Sequence, residues 1–169
     1  MTDRTADVTG GDVEFPVKTY TSSVALDDTQ PPVQLFLQAY SNRLFLILSQ
    51  YDGRIGSLLQ VTLDNPAAQT KMSTVTWLMG NAGHDHAGDP GGRGDVYEIL
   101  GSEIRARLVD VQPTDDRPLL LGLTLKEGWM ASSEDFKRRI QTIVAEVEEA
   151  YRETNIPSAP TTAMRDMAI

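Results

Sequence analysis

The sequence predicts an α+β protein, built on one antiparallel sheet of about six strands with two helices on one of its faces. Three observations support this class. Segments in the first half of the chain alternate apolar and polar residues and are joined by short turns. Two later segments repeat apolar residues at helical spacing, and a strand-like run lies between them. Short turns join antiparallel strands, and the helices that follow must then cover a sheet face.

The first five elements are predicted strands. The series begins with an alternating run around Phe15, and short turns interrupt it at 41–42 and 52–53. Connections this short predict an antiparallel meander. The predicted strands cover about residues 12–20, 33–39, 43–49, 55–63 and 73–79.

A helix is predicted after the glycine-rich stretch 80–94, which is typical of a surface loop. Asp95 is placed as its N-cap, with Glu98 three residues later at the capping-box spacing. Apolar residues then recur every four positions. Gly101 interrupts this pattern and costs about 1 kcal/mol relative to alanine in a helix interior.

The last two elements are a sixth strand and a second helix. The strand covers residues 119–125 and is apolar at nearly every position. Ser132 or Ser133 is predicted to cap the helix, because acidic residues follow in the first turn, where they complement the helix dipole. An apolar stripe runs along this helix from Phe136 to Tyr151.

The chain is predicted to hold a single domain. Its 169 residues fit one compact domain and hardly fit two. We expect a disordered tail over residues 1–11, the domain over residues 12–154, and a second disordered tail over residues 155–169, which is rich in proline, serine, threonine and alanine.

Two of the predicted strands are apolar on both faces, although two helices can cover only one face of a sheet this wide. Each large apolar side chain left in water forgoes roughly 1.5–3 kcal/mol of burial, and contiguous exposed patches usually mark an interface. We therefore predict that the second face packs against a partner sheet in a dimer. The alternative is that the N-terminal segment or the 64–72 loop folds back over it. Because alternation does not tell which face is which, the predicted interface includes residues of both: Leu44, Phe45, Leu46, Ile47, Leu48, Leu119, Leu121 and Leu123.

Composition excludes several classes of protein. The absence of cysteine excludes a disulfide scaffold, a cysteine zinc site and an iron–sulfur cluster. No apolar run approaches the length of a membrane span, and the N-terminus lacks the pattern of a signal peptide. A net charge of −9 argues against duplex DNA or an anionic membrane as the main partner. We expect a soluble, intracellular protein.

No residue is predicted to be catalytic, to bind a metal or to bind a cofactor. The run His84-Asp85-His86, with Asp89 nearby, is the one group with metal-like spacing, and a metal-dependent hydrolase centred on it is a third hypothesis for function. The host stretch is rich in glycine, and the chain has no other histidine. We interpret the run as part of a polar loop. A chain with a large apolar interface and no reactive constellation is interpreted as an interaction protein.

Several segments, taken in order, resemble one family. Residues 39–51 read AYSNRLFLILSQY, and residues 53–58 read GRIGSL. The order of an aromatic-Ser turn, an apolar strand ending in Gln-aromatic, and a Gly-basic-apolar-Gly-Ser-Leu run is similar to proteasome assembly chaperone 3. Residues 77–80, WLMG, are similar to a later strand end of that family.

The C-terminal part of the chain extends the resemblance. The strand at 119–126 and the amphipathic helix at 136–147 match the last strand and helix of the family, so that the resemblance covers about residues 33–148. Asp52 adds one residue to its turn, the loops at 22–32 and 83–94 are longer, and both tails are extra.

The resemblance implies a non-enzymatic protein. Members of the family form a dimer in which two sheets meet face to face with helices outside, usually with the related chaperone 4. The pair binds α-type subunits of the 20S proteasome, promotes α-ring assembly and leaves as β subunits join. The implied partners are thus a chaperone 4-like subunit or a second copy of this chain, together with proteasome α-type subunits. The implied location is the cytoplasm, with the nucleus left open.

One role of other proteasome chaperones is not carried over, and one alternative function stays open. The last three residues, 167–169, lack the hydrophobic-Tyr-any ending that other proteasome chaperones insert into α-ring pockets, so this role is not assigned to them. A second hypothesis of a different class is a homodimeric adaptor of the sheet-plus-helix type with partners outside the proteasome.

Overall fold

The structure, a computed structural model, describes residues 17–64, 72–80, 93–129 and 132–155. The domain holds the predicted α+β composition, with six strands in one sheet and two helices. The predicted tails at 1–11 and 155–169 lie outside the described residues, except Asn155, which is the last residue of the second helix. The elements are β1 (Lys18–Val24), β2 (Val33–Ala39), β3 (Leu44–Ser49), β4 (Ser57–Leu63), β5 (Ser73–Met79), α1 (Arg93–Val111), β6 (Leu119–Thr124) and α2 (Ser133–Asn155).

The sheet is mixed rather than purely antiparallel. Its strand order is β1-β2-β3-β6-β4-β5, and β6 runs parallel to β3 while every other pairing is antiparallel. β3 and β4 are therefore separated, although a meander would have paired them. β6 occupies the centre because it and β3 are the most apolar strands, and the centre of a sheet offers the most burial.

β1 begins later than the sequence predicts. It covers Lys18–Val24 instead of 12–20, and residues 12–16 lie outside the described residues. The strand pairs in register with β2, from Lys18 opposite Ala39 to Val24 opposite Val33. Its hydrophobic alternation is weak because serine and threonine occupy the positions on one face.

α1 begins at Arg93, so Asp95 lies in the first turn and is not the residue that precedes the helix. Glu98 does not complete the predicted capping box either: its carboxylate accepts a hydrogen bond from Trp77 Nε1 at 2.8 Å. This hydrogen bond ties the second turn of α1 to the edge strand β5.

Gly101 lies where α1 comes closest to the sheet. A Cβ at this position would meet Val61 Cγ2 at 3.0 Å and Leu121 Cδ2 at 3.3 Å. Glycine at position 101 lowers the helix propensity, but its lack of a side chain permits a close contact of α1 with β4 and β6.

α2 begins as predicted, with Ser132 as its cap. Ser132 Oγ accepts a hydrogen bond from the Asp135 amide at 3.0 Å, and the Ser132 hydroxyl donates to the Asp135 carboxylate at 2.7 Å. α2 packs on β1 and β2 while α1 packs on β4, β5 and β6, so both helices lie on the same face of the sheet. Neither helix has the length and apolar character that crossing a membrane requires, within the described residues.

Candidate dimer interface

The two faces of the sheet differ in what covers them. Six of the eight residues predicted for the interface lie on the face beneath the helices and have no exposed surface; they are Leu44, Leu46, Leu48, Leu119, Leu121 and Leu123. Phe45 and Ile47 alternate with these leucines on β3 and lie on the opposite face, where they are half-buried. We call this opposite face the open face. An interface on the open face can include Phe45 and Ile47 but not the six leucines, because these lie beneath the helices. The dimer itself stays a prediction.

The centre of the open face is apolar. Phe36 on β2 pairs with Ile47, and its ring meets the ring of Phe45 edge to face, with centroids 6.5 Å apart. Leu120 on β6 pairs with Phe45, and Leu58 on β4 lies one strand farther along. All five side chains are half-buried in the chain alone. Together they form one apolar patch across the four central strands.

A loop residue completes this apolar patch. Gly122 leaves a gap in the middle of β6, and Ile55 fills it, since a Cβ at Gly122 would lie 3.1 Å from Ile55 Cγ1 and Cδ1. Thr124 holds the loop in place: its hydroxyl accepts from the Gly56 amide at 2.5 Å and donates to the Arg54 carbonyl at 2.7 Å. The loop therefore contributes a fixed apolar side chain to the open face.

The turn of this loop also shapes the open face. Asp52 and Gly53 both have positive φ, 51° and 74°, which forms a tight turn after β3. A concavity of about 530 Å³ lies beside the turn and is lined in part by Thr21, Phe36 and Ile47. A partner side chain that packs on the apolar patch has space at this point.

Polar but uncharged residues surround the apolar patch. Each of the six strands directs three residues to the open face, and none of these is ionisable. Around the patch they are Thr19, Thr21, Ser23, Gln34, Gln38, Ser49, Gln60, Thr62, Thr74, Thr76 and Thr124. A solvated sheet face normally carries charges, because folded surfaces are roughly a quarter to a third Lys, Arg, Asp and Glu. An apolar centre within a polar rim is the arrangement found in protein interfaces.

The β5 edge adds exposed apolar surface next to the open face. Leu58 pairs with Met79 while Leu59 pairs with Trp77, so Leu78 has no partner residue of its own. Leu78 and Met79 are 51% and 49% exposed. Bulges of this kind twist a strand and are one way to protect an edge from non-specific pairing.

One glutamine holds together the loops at the end of the sheet where β3 and β6 finish. Gln50 Oε1 accepts hydrogen bonds from the Lys126 amide at 2.8 Å and from Trp129 Nε1 at 3.1 Å, and its Nε2 donates to the Pro31 carbonyl at 2.6 Å. The Gln-aromatic pair on which the family resemblance partly depends thus includes a structural residue. Tyr51, its aromatic neighbour, is exposed with Lys126 Nζ 5.5 Å from its ring centroid.

A buried polar cluster at the other end of the sheet links β6 to α2. Asp115 accepts two side-chain hydrogen bonds from Arg117, at 2.9 and 2.7 Å, and one from the Tyr151 hydroxyl. Burial alone would raise the pKa of Asp115, but the hydrogen bonds from Arg117 and Tyr151 outweigh it and lower that pKa. Burial and the bond to Asp115 raise the pKa of Tyr151 to about 12. Every member of this cluster has a partner inside it, and we interpret the cluster as structural.

The sequence also contains one candidate metal site, apart from the sheet. His84, Asp85, His86 and Asp89 lie outside the described residues. Within the part of the chain that the structure describes, no group of three or more potential metal ligands occurs. The prediction that the chain uses no metal therefore stays a prediction.

Four members of the apolar patch, Phe36, Ile55, Leu58 and Leu120, are absent from the interface that the sequence predicts. Phe36 and Leu120 are apolar residues that alternate with the buried residues of β2 and β6, so the sequence pattern contains a signal for them. Ile55 stands at the start of the predicted strand 55–63, but β4 begins at Ser57, so Ile55 belongs to a loop whose path depends on the tertiary structure.

Comparison with known proteins gives few matches. Neither protein-family models nor curated protein sequences match this chain. Among solved structures, a chain of the structure described as "Crystal Structure of a Novel Chaperone Complex for Yeast 20S Proteasome Assembly" is similar to it, with 15% sequence identity and a TM-score of 0.49. The similarity covers 79% of this chain and 98% of that chain. A likeness at this identity and TM-score carries no inference about what the present chain does.

Proposed function

We propose that this chain is a proteasome assembly chaperone 3-like protein: a dimeric, non-catalytic chaperone that binds α-type subunits of the 20S proteasome, promotes α-ring assembly and then dissociates. The observation that carries the proposal is the open face, whose centre is apolar and whose strand positions carry no charge. The resemblance of residues 33–148 to that family supplies the identity of the partners.

The open face requires a cover for an energetic reason. Full burial of a large apolar side chain contributes roughly 1.5–3 kcal/mol, so that covering the last third or less of its surface contributes up to about 1 kcal/mol. Six such side chains, Phe36, Phe45, Ile47, Ile55, Leu58 and Leu120, lie together on the open face. Covering them with a second sheet therefore offers several kcal/mol per chain, which suits a stable contact between chaperone subunits.

The proteasome subunit must be bound by a different kind of surface. A chaperone that leaves during assembly needs an interface that a later subunit can displace, and transient interfaces are smaller and more polar than obligate ones. Outside the open face the chain offers such surface, because the exposed sides of α1 and α2 are rich in charged residues. In this scheme the dimer holds α-type subunits in register until an incoming subunit competes for the same contacts.

The experiment is affinity purification of the tagged full-length chain from cells in which proteasome assembly is stalled before β subunits join. We expect α-type subunits and a chaperone subunit in the eluate, identified by mass spectrometry, and no mature 20S particle. An eluate without α-type subunits overturns the proposal. Stoichiometric recovery of non-proteasomal partners alone would instead identify the chain as an adaptor module.

A control variant separates the chaperone contact from general loss of structure. Ile47→Glu places a carboxylate in the apolar patch, and Ile99→Glu makes the same substitution at a residue of α1 that is 40% exposed. We expect the Ile47 variant to lose its chaperone partner, with recovery of α-type subunits reduced, while the Ile99 variant behaves as the unmodified chain. Equal recovery of the chaperone partner with both variants would contradict an interface on the open face.

A further inference from the structure

We infer that the outer edge of β5 binds an extended segment of another protein by strand addition, and that this segment alternates basic and apolar side chains. The inference does not depend on the proposed function, because an edge takes a partner in the plane of the sheet, whereas the open face takes one above it. Three features of the edge support it: its main-chain groups, its lack of protecting residues, and the side chains beside it.

The main chain of β5 presents donors and acceptors that no described segment uses. β5 is the last strand of the sheet and pairs only with β4 within the described residues. The Asp64 amide donates to the Met72 carbonyl at 3.1 Å, which makes these two residues a hydrogen-bonded pair. Such pairs alternate with non-hydrogen-bonded ones in an antiparallel ladder, so the main-chain groups of Ser73, Val75 and Trp77 point away from β4. An extended segment can pair with all of these groups at once.

The edge also lacks the residues that normally prevent pairing. Charged side chains and proline protect most sheet edges, and β5, which reads STVTWLM, contains neither. The bulge affects only its last residues, since Ser73 to Trp77 stay in continuous register with β4. Three of the five large apolar side chains exposed in the described part of the chain lie on or next to β5, namely Met72, Leu78 and Met79, and none lies on the opposite edge, β1. β5 is therefore the edge suited to a partner.

Two carboxylates lie on the helix side of this edge. The Trp77 ring stacks on Tyr97, with centroids 6.2 Å apart, and its indole donates to the carboxylate of Glu98. Glu98 is exposed, and Asp95, one turn earlier on α1, is exposed as well. Directly paired residues of neighbouring strands direct their side chains to the same face. A lysine or arginine of the added segment that pairs with Val75 or Trp77 would thus approach Glu98.

The other side of the edge favours apolar side chains. Residues of the added segment that pair with Thr74 and Thr76 face the open-face side, where β-branched residues pack well against threonine across strands. Leu78 adds exposed apolar surface on the same strand. The segment that fits both sides therefore alternates a basic residue with a β-branched apolar one.

The test is NMR titration of the ¹⁵N-labelled full-length chain with a capped heptapeptide that alternates lysine and valine. We expect shifts and slower hydrogen exchange at the amides of Ser73, Val75 and Trp77, with a dissociation constant of about 0.1–1 mM for so short a segment. Absence of these changes up to about 5 mM peptide overturns the inference.

Two methylated forms of the peptide separate strand addition from attraction by charge alone. In antiparallel pairing the lysine amides point to β5 and the valine amides point away from it. We expect no binding by the peptide that is N-methylated at every lysine, and unchanged binding by the peptide that is N-methylated at every valine. Equal binding by the two forms overturns the inference, and the protein itself is unmodified in both measurements.

A matched pair of variants tests the assignment of the basic side chains. Glu98→Gln removes the charge but keeps an oxygen that can accept from Trp77, and Glu103→Gln makes the same change at an exposed position on another side of α1. We expect the Glu98 variant to bind the peptide about threefold more weakly, as for an exposed ion pair, and the Glu103 variant to bind as the unmodified chain. Equal affinities of the two variants contradict a basic residue beside Glu98.

The same spectra distinguish other occupants of the edge. Peptide shifts confined to open-face residues such as Ile47 would show that the peptide binds above the sheet, which overturns the inference. Slower exchange at Val75 that rises with protein concentration in the absence of peptide would identify a second copy of this chain as the occupant, and overturns it too. Neither result bears on the recovery of α-type subunits, so failure of this inference is distinguishable from failure of the proposed function.

Discussion

The substitution Ile47→Glu gives the sharpest prediction for the open face. Ile47 lies at the centre of the apolar patch, between Phe36 on β2 and Gly122 on β6. Ile47 is partly buried in the single chain, so that a covering sheet removes from water the remaining third or less of its surface. The substitution therefore loses apolar burial worth about 0.5 kcal/mol per copy. Burial of an uncompensated carboxylate adds at least about 1 kcal/mol more.

For a symmetric dimer both losses count twice, which gives at least about 3 kcal/mol and a dissociation constant about a hundredfold higher. The assay is sedimentation equilibrium, with the free energy of unfolding measured in parallel by urea denaturation of the dilute protein. Ile99→Glu is the matched control. Since Ile99 lies on the outer side of α1, this variant should retain the dissociation constant, with a cost to stability of about a few tenths of a kcal/mol from its acidic neighbours along the helix.

A particular result would refute the reasoning. If Ile47→Glu leaves the dissociation constant unchanged while the protein stays folded, then the patch around Ile47 is not buried by a partner. If the two variants weaken association equally, the effect comes from added negative charge and not from the open face.

Three further predictions concern the fold that presents this face. Tyr151→Phe removes the hydroxyl that donates to Asp115, and we expect it to lower the free energy of unfolding by about 1–2 kcal/mol in urea denaturation. Because the pKa of Asp115 is lowered in the folded state, the stability it contributes is present above its unfolded pKa and is lost as pH falls through its folded pKa. Melting temperatures should therefore drop less steeply on acidification below about pH 4 in Asp115→Asn than in the unmodified chain. Gly101→Ala should lower the melting temperature in spite of its gain in helix propensity, because the new methyl group meets Val61 at 3.0 Å, and a rise would show that α1 can move away.

Much of the fold follows from local patterns. β2, β4 and β5 alternate clearly enough for their positions to be predicted, and β3 is predicted from its apolar run between two turns. The cap of α2 at Ser132 is a local signal that the structure confirms. α1 is predictable in spite of Gly101, and the close approach of this helix to Val61 explains why a glycine is present. These features depend on neighbouring residues along the chain, which a sequence displays directly.

The remaining features depend on contacts between distant segments. The insertion of β6 between β3 and β4 is not visible in any local pattern, because adjacent strands with short connections usually pair. Glu98 fits the spacing of a capping box, but Trp77, 21 residues earlier, takes its carboxylate. In both cases a tertiary contact replaces the arrangement that the local sequence favours.

The assignment of the two sheet faces shows the same limit. β3 reads LFLILS, so both phases of its alternation are apolar, and the sequence alone does not indicate which phase lies beneath the helices. The structure assigns Leu44, Leu46 and Leu48 to the covered face and leaves Phe45 and Ile47 on the other. The predicted interface is thus a mixture of core and surface residues, and only the positions of α1 and α2 separate them.

Thiol labelling tests most directly whether another molecule covers the open face. The chain has no cysteine, so Ile47→Cys and Ile99→Cys each create a single labelling site. As protein concentration rises through the dimer dissociation constant, we predict that Cys-specific labelling slows strongly for the Ile47 variant and stays constant for the Ile99 variant. Labelling at position 47 that is equally fast at every concentration, or equally slow down to concentrations at which the protein is monomeric, would contradict the account.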